Sequence, residues 1–188
     1  MDNEQLNILR FLIEHQEEQF SIRQIAIKRK INYKSAYLAL RKLELQGIIG
    51  LKKYGNITLC RFNRYFNAAV FLVEYERLQE LLKNKNFKVI YERLKGRDLQ
   101  FILLLFGSYA KGLQTKHSDI DLLLICDNPI EIEKQLRLIP LEIHLTSITY
   151  ADFRTMLKTT EFTVVSEASK RNIILFGIED YYRILNNA

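Results

Sequence analysis

Two wholly apolar runs, Phe101–Phe106 (FILLLF) and Leu122–Ile125 (LLLI), are joined by only fifteen residues, GSYAKGLQTKHSDID. Runs this short and this apolar read as strands buried on both faces, which need packing above and below a sheet. The expected strands are Leu99–Phe106 and Asp119–Ile125, with a turn at Gly107-Ser108 and a short helix between them. Asp119 and Asp121 then stand two residues apart on one strand, so both carboxylates project from the same face. Charges at the head of a buried strand cost desolvation energy unless something compensates them. A shared divalent cation does so, and Mg²⁺ takes oxygen ligands from one or two carboxylates plus substrate phosphates.

The rest of the chain bounds the problem. It has 188 residues, 48% hydrophobic and 27% charged, enough for one or two domains with an apolar core. No apolar run approaches the roughly 20 residues of a membrane span, and the polar start MDNEQLN is no signal peptide. Cys60 and Cys126 lack metal-ligand spacing and read as reduced thiols, which suits a cytoplasmic protein. Charge is unevenly placed. Residues 1–64 carry 12 Lys/Arg against 6 Asp/Glu, and residues 65–188 carry 16 of each, so the whole excess of +6 lies in the first third. That asymmetry reads as a separate module with an anionic partner.

Within that third, Leu6, Leu9, Leu12 and Ile13 predict a helix over residues 3–15. Arg10 and His15 have a spacing met in HEPN ribonucleases, but the residues between them belong to the helix's core stripe. Ser21 with Gln24 is a capping-box pattern opening a second helix. Asn32 caps a third, Tyr33–Gln46, which Gly47 ends. Ala36, Leu40 and Leu43 form its inner face; Lys34, Ser35, Tyr37, Arg41 and Lys42 stay outside. IIGLKKY and NITLCRF then flank a hairpin turn at Tyr54-Gly55-Asn56. Three helices and a hairpin, with NYKSAYLALRKLELQGII as recognition helix and wing entry, resemble a winged helix-turn-helix domain over about residues 3–64. The resemblance implies duplex DNA as partner, with Lys34, Ser35, Tyr37, Arg41 and Lys42 at the groove and Lys52 and Lys53 on the wing. Winged helices also serve as protein-docking modules, and a solvated basic face is the plainer alternative.

Phe71, Leu72, Tyr75, Leu78 and Leu82 recur at helical spacing, giving a helical connector over 65–86, and Val89, Ile90 and Leu94 continue in a second piece. Residues 150–170 read as a helix behind the sheet, and Phe176, Tyr181 and Tyr182 as core or interface aromatics. Gly-Ser, ten residues, then Asp-x-Asp, preceded by FILLLF, resembles the signature of polymerase β-like nucleotidyltransferases, in the small form called minimal nucleotidyltransferases. NIILFGIEDYYRIL is similar to the closing region of that group. The resemblance covers roughly residues 87–185.

The expected fold is therefore α+β: a winged helix-turn-helix over 1–64, the connector, and a nucleotidyltransferase domain over 87–188 with a short mixed sheet flanked by helices. The resemblance implies Mg²⁺- or Mn²⁺-dependent transfer of a nucleotide, AMP from ATP, to a hydroxyl. Gly107 admits close backbone approach to triphosphate, Ser108 and neighbouring amides hold phosphate oxygens, and Lys111 faces the leaving pyrophosphate. Asp119, Asp121 and a third carboxylate hold metal. Glu142, in the alternating stretch LEIHL, is the best match for that third position, where the family usually has Asp; its role there is to draw the proton from the attacking hydroxyl. His144, on the same face, reads as a strand-surface residue. Minimal nucleotidyltransferases act as antitoxins on HEPN toxin partners or extend RNA ends. The rival reading is a DNA-binding regulator whose inactive transferase domain senses nucleotide. Oligomeric state, monomer or homo-oligomer, is left open by the sequence.

Overall fold

The computed structural model describes residues 1–116, 118–159 and 163–187. The chain divides into two compact units, Met1–Val73 and Glu74–Ala188, so all the excess positive charge belongs to the first.

In the first unit α1 (Asn3–Glu14) starts at Asp2, whose carboxylate accepts from Gln5 N at 2.9 Å. That backbone bond, with help from Lys42, holds the Asp2 carboxyl below its ordinary range. β1 (Phe20–Ser21) runs straight into α2 (Ile22–Arg29), opened by the full Ser21–Gln24 capping box. α3 (Tyr33–Leu45) begins at Asn32, whose side chain accepts from Ser35 N, and buries Ala36, Ala39, Leu40 and Leu43. β2 (Ile49–Tyr54) and β3 (Ile57–Phe62) pair antiparallel from Tyr54↔Ile57 inward. Gly55, at φ 57, takes the first turn position between them, which glycine occupies without steric cost. Phe20 and Ser21 add β1 to β3, giving the order β1-β3-β2.

The division between the units falls within α4 (Ala68–Leu81), which is followed by α5 (Lys85–Leu94). The buried stripe of α4 is Val70, Val73, Glu74, Arg77 and Leu78, whereas Phe71, Leu72 and Tyr75, whose spacing predicted the helix, are exposed. Two charges on an inward face survive because they are matched. Glu74 (1% exposed) and Arg77 (5%) pair at 2.5 Å; Tyr182 Oη donates to Glu74, and Arg77 donates to the carbonyl of Asn172. Asn172 Nδ2 in turn donates to the Ala168 carbonyl and to Tyr181 Oη. Burial and the facing Glu74 carboxylate push the Tyr182 hydroxyl's pKa well up, so it stays a donor.

The second unit holds a four-stranded mixed sheet of order β6-β5-β4-β7. β4 (Ile102–Leu105) is antiparallel to both β5 (Ile120–Ile125) and β7 (Ile173–Phe176), while β5 and β6 (Ile143–Ile148) are parallel. The first two strands are shorter than predicted: pairing of β4 with β5 runs only from Ile102↔Ile125 to Leu105↔Leu122, α6 (Gly107–Lys111) follows, and Asp119 lies just ahead of β5. α7 (Ile130–Arg137) supplies the crossover between the parallel pair. Ile120, Leu122 and Leu124 pack with Phe87, Ile90, Ile132 and Leu136 on one side. The expected helix over 150–170 is two pieces, α8 (Tyr150–Leu157) and α9 (Val164–Lys170); residues 160–162 lie outside the described ones. α10 (Ile178–Asn186) follows β7, with Tyr181 and Tyr182 wholly buried. Among the described residues no helix is long and apolar enough to cross a membrane.

Candidate active site

Leu105↔Leu122 is the last register pair of β4 with β5, and Phe106 N donates to the Asp121 carbonyl at 3.0 Å. The Gly107-Ser108 turn is therefore the cross-strand neighbour of Asp121, which is what the ten-residue spacing accomplishes. Gly107 sits at φ +67, and a Cβ there would lie 2.1 Å from Asp121 Oδ2. Only glycine permits both that backbone conformation and that approach. Gly112, in the left-handed conformation, ends α6, and the returning loop is tied by Thr115 N donating to Ser118 Oγ at 2.8 Å.

The parallel register places the remaining groups. Ile120 pairs with Ile143 and Asp121 with His144; Ile120 N donates to the Glu142 carbonyl at 2.9 Å. One step back along both chains, Asp119 lies beside Glu142. Because side chains alternate, Asp119, Asp121, Glu142 and His144 share one face of the sheet. Asp121 is the sheltered member, its side chain 26% exposed, and His144 Nδ1 stands 3.3 Å from Asp121 Oδ1. Asp119 and Glu142 are less sheltered, and Glu142 precedes β6 instead of lying within it. Sequence reasoning put His144 on the right face and missed its contact, because only the register shows which carboxylate it meets.

Ser108 is half-buried at the start of α6. Lys111, expected to face a leaving pyrophosphate, pairs with Glu167 of α9 at 2.9 Å. Nothing in the local sequence pointed to Glu167, 56 residues further on. Among the described residues no three His, Cys, Asp or Glu side chains come together to hold a metal ion. Two carboxylates of hard oxygen character, Asp119 exposed and Asp121 half-buried against the Gly107 backbone, still fit Mg²⁺, which leaves its other positions to phosphate oxygens and water.

In the first unit, α3 exposes Lys34, Tyr37, Arg41 and Lys42, while Ser35 is half-buried at its first turn. Arg41 pairs with Glu44, and Lys42 with Asp2 at 3.3 Å, so both cations already have acidic neighbours. Tyr33 and Tyr37 set their rings nearly parallel, 6.4 Å apart, on the same surface. On β2, Lys52 and Lys53 are exposed beside the hairpin turn, with Lys52 Nζ 5.1 Å from the Tyr54 ring centre.

No curated protein and no solved structure matches the chain. Residues 88–176, which begin in α5, contain Gly107, Ser108, Asp119, Asp121, Glu142 and His144 and end with β7, match the family model described as a nucleotidyltransferase domain, of the polymerase β-like superfamily.

Proposed function

We propose that this protein is a Mg²⁺-dependent nucleotidyltransferase that moves AMP from ATP to a hydroxyl, and that residues 1–64 form a winged helix-turn-helix that binds duplex DNA. The observation that carries the transferase reading is the Gly107 backbone pressed on the Asp121 carboxylate, with Asp119 on the same face, inside the matched segment. Asp119 and Asp121 would hold Mg²⁺ or Mn²⁺, which when bound supplies a Lewis acid against phosphoryl oxygens. Gly107 lets the backbone lie against the Asp121 carboxylate, and the Ser108 hydroxyl beside it can donate to a phosphate oxygen. Glu142 accepts the proton of the attacking hydroxyl at its carboxylate; the oxygen bonds to the α-phosphorus and pyrophosphate leaves. The acceptor hydroxyl belongs to a protein, a HEPN-type toxin being the one the resemblance implies, or to RNA.

The DNA reading is supported by the +6 carried by the first unit and by the exposed Lys34, Tyr37, Arg41, Lys42, Lys52 and Lys53 on α3 and the hairpin. One observation favours a second reading, a DNA-binding regulator with an inactive, nucleotide-sensing domain: Glu142 lies outside β6, and no third ligand closes on the aspartates among the described residues. Calorimetry with ATP tests the metal site. Binding should be much tighter with Mg²⁺ than with EDTA, and Asp119→Asn with Asp121→Asn should remove that difference; equal affinity with and without metal sinks the assignment. Incubation with radiolabelled ATP then divides enzyme from sensor, since a sensor labels neither itself, RNA nor protein.

A further inference from the structure

We propose that the free edge of β6 takes up an extended polypeptide segment as a fifth strand, and that this segment carries the accepting hydroxyl. The proposal rests on the transferase reading above. β6 ends the sheet on one side and has β5 as its strand neighbour. The bonds from Ile120 N to the Glu142 carbonyl and from Cys126 N to the Ile148 carbonyl fix the phase of that ladder. Residues 142, 144, 146 and 148 turn their amide groups to β5, so Ile143, Leu145 and Ser147 turn theirs outward.

Edge strands are ordinarily guarded by proline, lysine, a bulge or brevity. β6, IHLTSI, has none of these: it is six residues long, with a regular register and no proline, glycine or lysine. Beside it lies a cavity of about 360 Å³, lined by the apolar Leu136, Ile139, Ile143 and Leu145 and by the charged Glu133 and Arg137 of α7. Ser147 Oγ donates to Glu133 Oε1 at 2.7 Å and ties α7 to the strand beyond the cavity. His144, whose side chain stands on the opposite face from those of Ile143 and Leu145, borders this cavity and contacts Asp121, so the outer edge of β6 adjoins both.

An added strand would alternate its side chains in step with β6. One set would enter the cavity beside Ile143 and Leu145. The other would stand on the face of His144, Asp121 and Asp119, where a hydroxyl meets the transfer chemistry. Outward amides at every second residue complement a polypeptide backbone and not a sugar-phosphate one. Charge agrees: the unit Glu74–Ala188 carries 16 Lys/Arg against 16 Asp/Glu, and Arg137 at the cavity pairs with Glu133. A nucleic-acid acceptor would ask for a cationic groove.

The test uses the full chain with Mg²⁺ and radiolabelled ATP. It offers a pool of short synthetic peptides of alternating Val and Ile with a central Ser, Thr or Tyr, and in parallel RNA oligonucleotides. Wild type should label peptides. Leu145→Pro, which removes an outward N–H and leaves the β5 ladder whole, should lower labelling at least about tenfold, with ATP affinity by calorimetry unchanged. Should Leu145→Pro fail to fold, the same question is put from the peptide side: methylating alternate backbone nitrogens should abolish labelling in one phase and spare it in the other. Labelling of RNA and not of peptide overturns the proposal, as does indifference to the proline or to the methyl phase. So does a wild-type dimer in sedimentation that Leu145→Pro dissociates, which would make a second copy the occupant. Absence of Mg²⁺-dependent ATP binding would instead bring down the transferase reading, and this proposal with it.

Discussion

Replacing Gly107 with alanine tests the contact on which the site is built. At φ +67 a non-glycine residue bears strain of about 1–3 kcal/mol. The new Cβ would stand 2.1 Å from Asp121 Oδ2, 2.9 Å from its Cγ and 3.2 Å from its Cβ. No Cβ tolerates the first two distances, so the carboxylate must move by more than about 1 Å, and overpacking of this kind adds about 1–3 kcal/mol. Removing the carboxylate separates the terms. In an Asp121→Ala background the offending oxygens are gone and the backbone strain stays, so Gly107→Ala should cost about 1–3 kcal/mol less there than in wild type. Urea unfolding of the four proteins in that cycle measures the coupling. Activity should respond as well, because a misplacement of about 1 Å at a reacting centre can cost about 10²-fold in rate. A coupling below about 0.5 kcal/mol would refute the reasoning, since additive effects mean that the two residues do not press on one another.

Other outcomes follow from single features. Glu142→Gln should leave ATP and Mg²⁺ binding intact while transfer of labelled nucleotide falls by about 10²–10⁴-fold, and Glu142→Asp should keep activity; transfer by the Gln variant at the wild-type rate removes Glu142 from the base role. Glu74→Ala takes the paired carboxylate from the buried Arg77 guanidinium and should lower stability by about 3–5 kcal/mol in chemical unfolding, whereas Tyr182→Phe, which takes one hydroxyl from Glu74, should lower it by about 1–3 kcal/mol. Full-length protein should bind duplex DNA with an affinity that falls linearly on a log–log plot against salt, and Lys34→Ala with Lys52→Ala should flatten the slope by about one for each phosphate no longer neutralised; salt-independent binding counts against a nucleic-acid partner. Burial pushes the Cys60 thiol up to about 12. Its unfolded counterpart ionises first as pH rises past about 9, so this contribution to stability is whole below that pH and is lost toward 12, which alkaline unfolding of Cys60→Ala against wild type would reveal.

What could be read from the sequence was local. The capping box Ser21–Gln24, the Asn32 cap and the Gly55 turn each depend on residues within four positions, and each is found where its pattern stands. The Gly-Ser turn and the paired aspartates are local too, and their spacing encodes one return of the chain. The inward face of α4 was not legible, because an apolar stripe is ordinarily the buried one. Here the inward face holds Glu74 and Arg77, and what compensates them comes from the Tyr182 hydroxyl and the Asn172 carbonyl, 108 and 95 residues away. β1 escaped for a similar reason: two residues make a strand only because β3 lies beside them. The pairing of Lys111 with Glu167 belongs in the same class, a contact between elements that no short pattern anticipates.

The identity of the third group at the site is likewise a matter of register. Leu141-Glu142-Ile143-His144-Leu145 offers two polar side chains on one face, and periodicity alone treats them as equals. Pairing Ile120 with Ile143 separates them, setting Glu142 beside Asp119 and His144 beside the sheltered Asp121. A slip of one residue would turn both to the other face and bring Ile143 and Leu145 out of the core cluster they join. The apolar cluster thus holds the register that places the polar groups. The two polar groups then differ in what they can do. Glu142 stands in the open, where an incoming hydroxyl can reach it. His144 touches the carboxylate that Gly107 already confines, so Asp121 is fixed from both sides, by a backbone without a side chain on one strand and by an imidazole on the next.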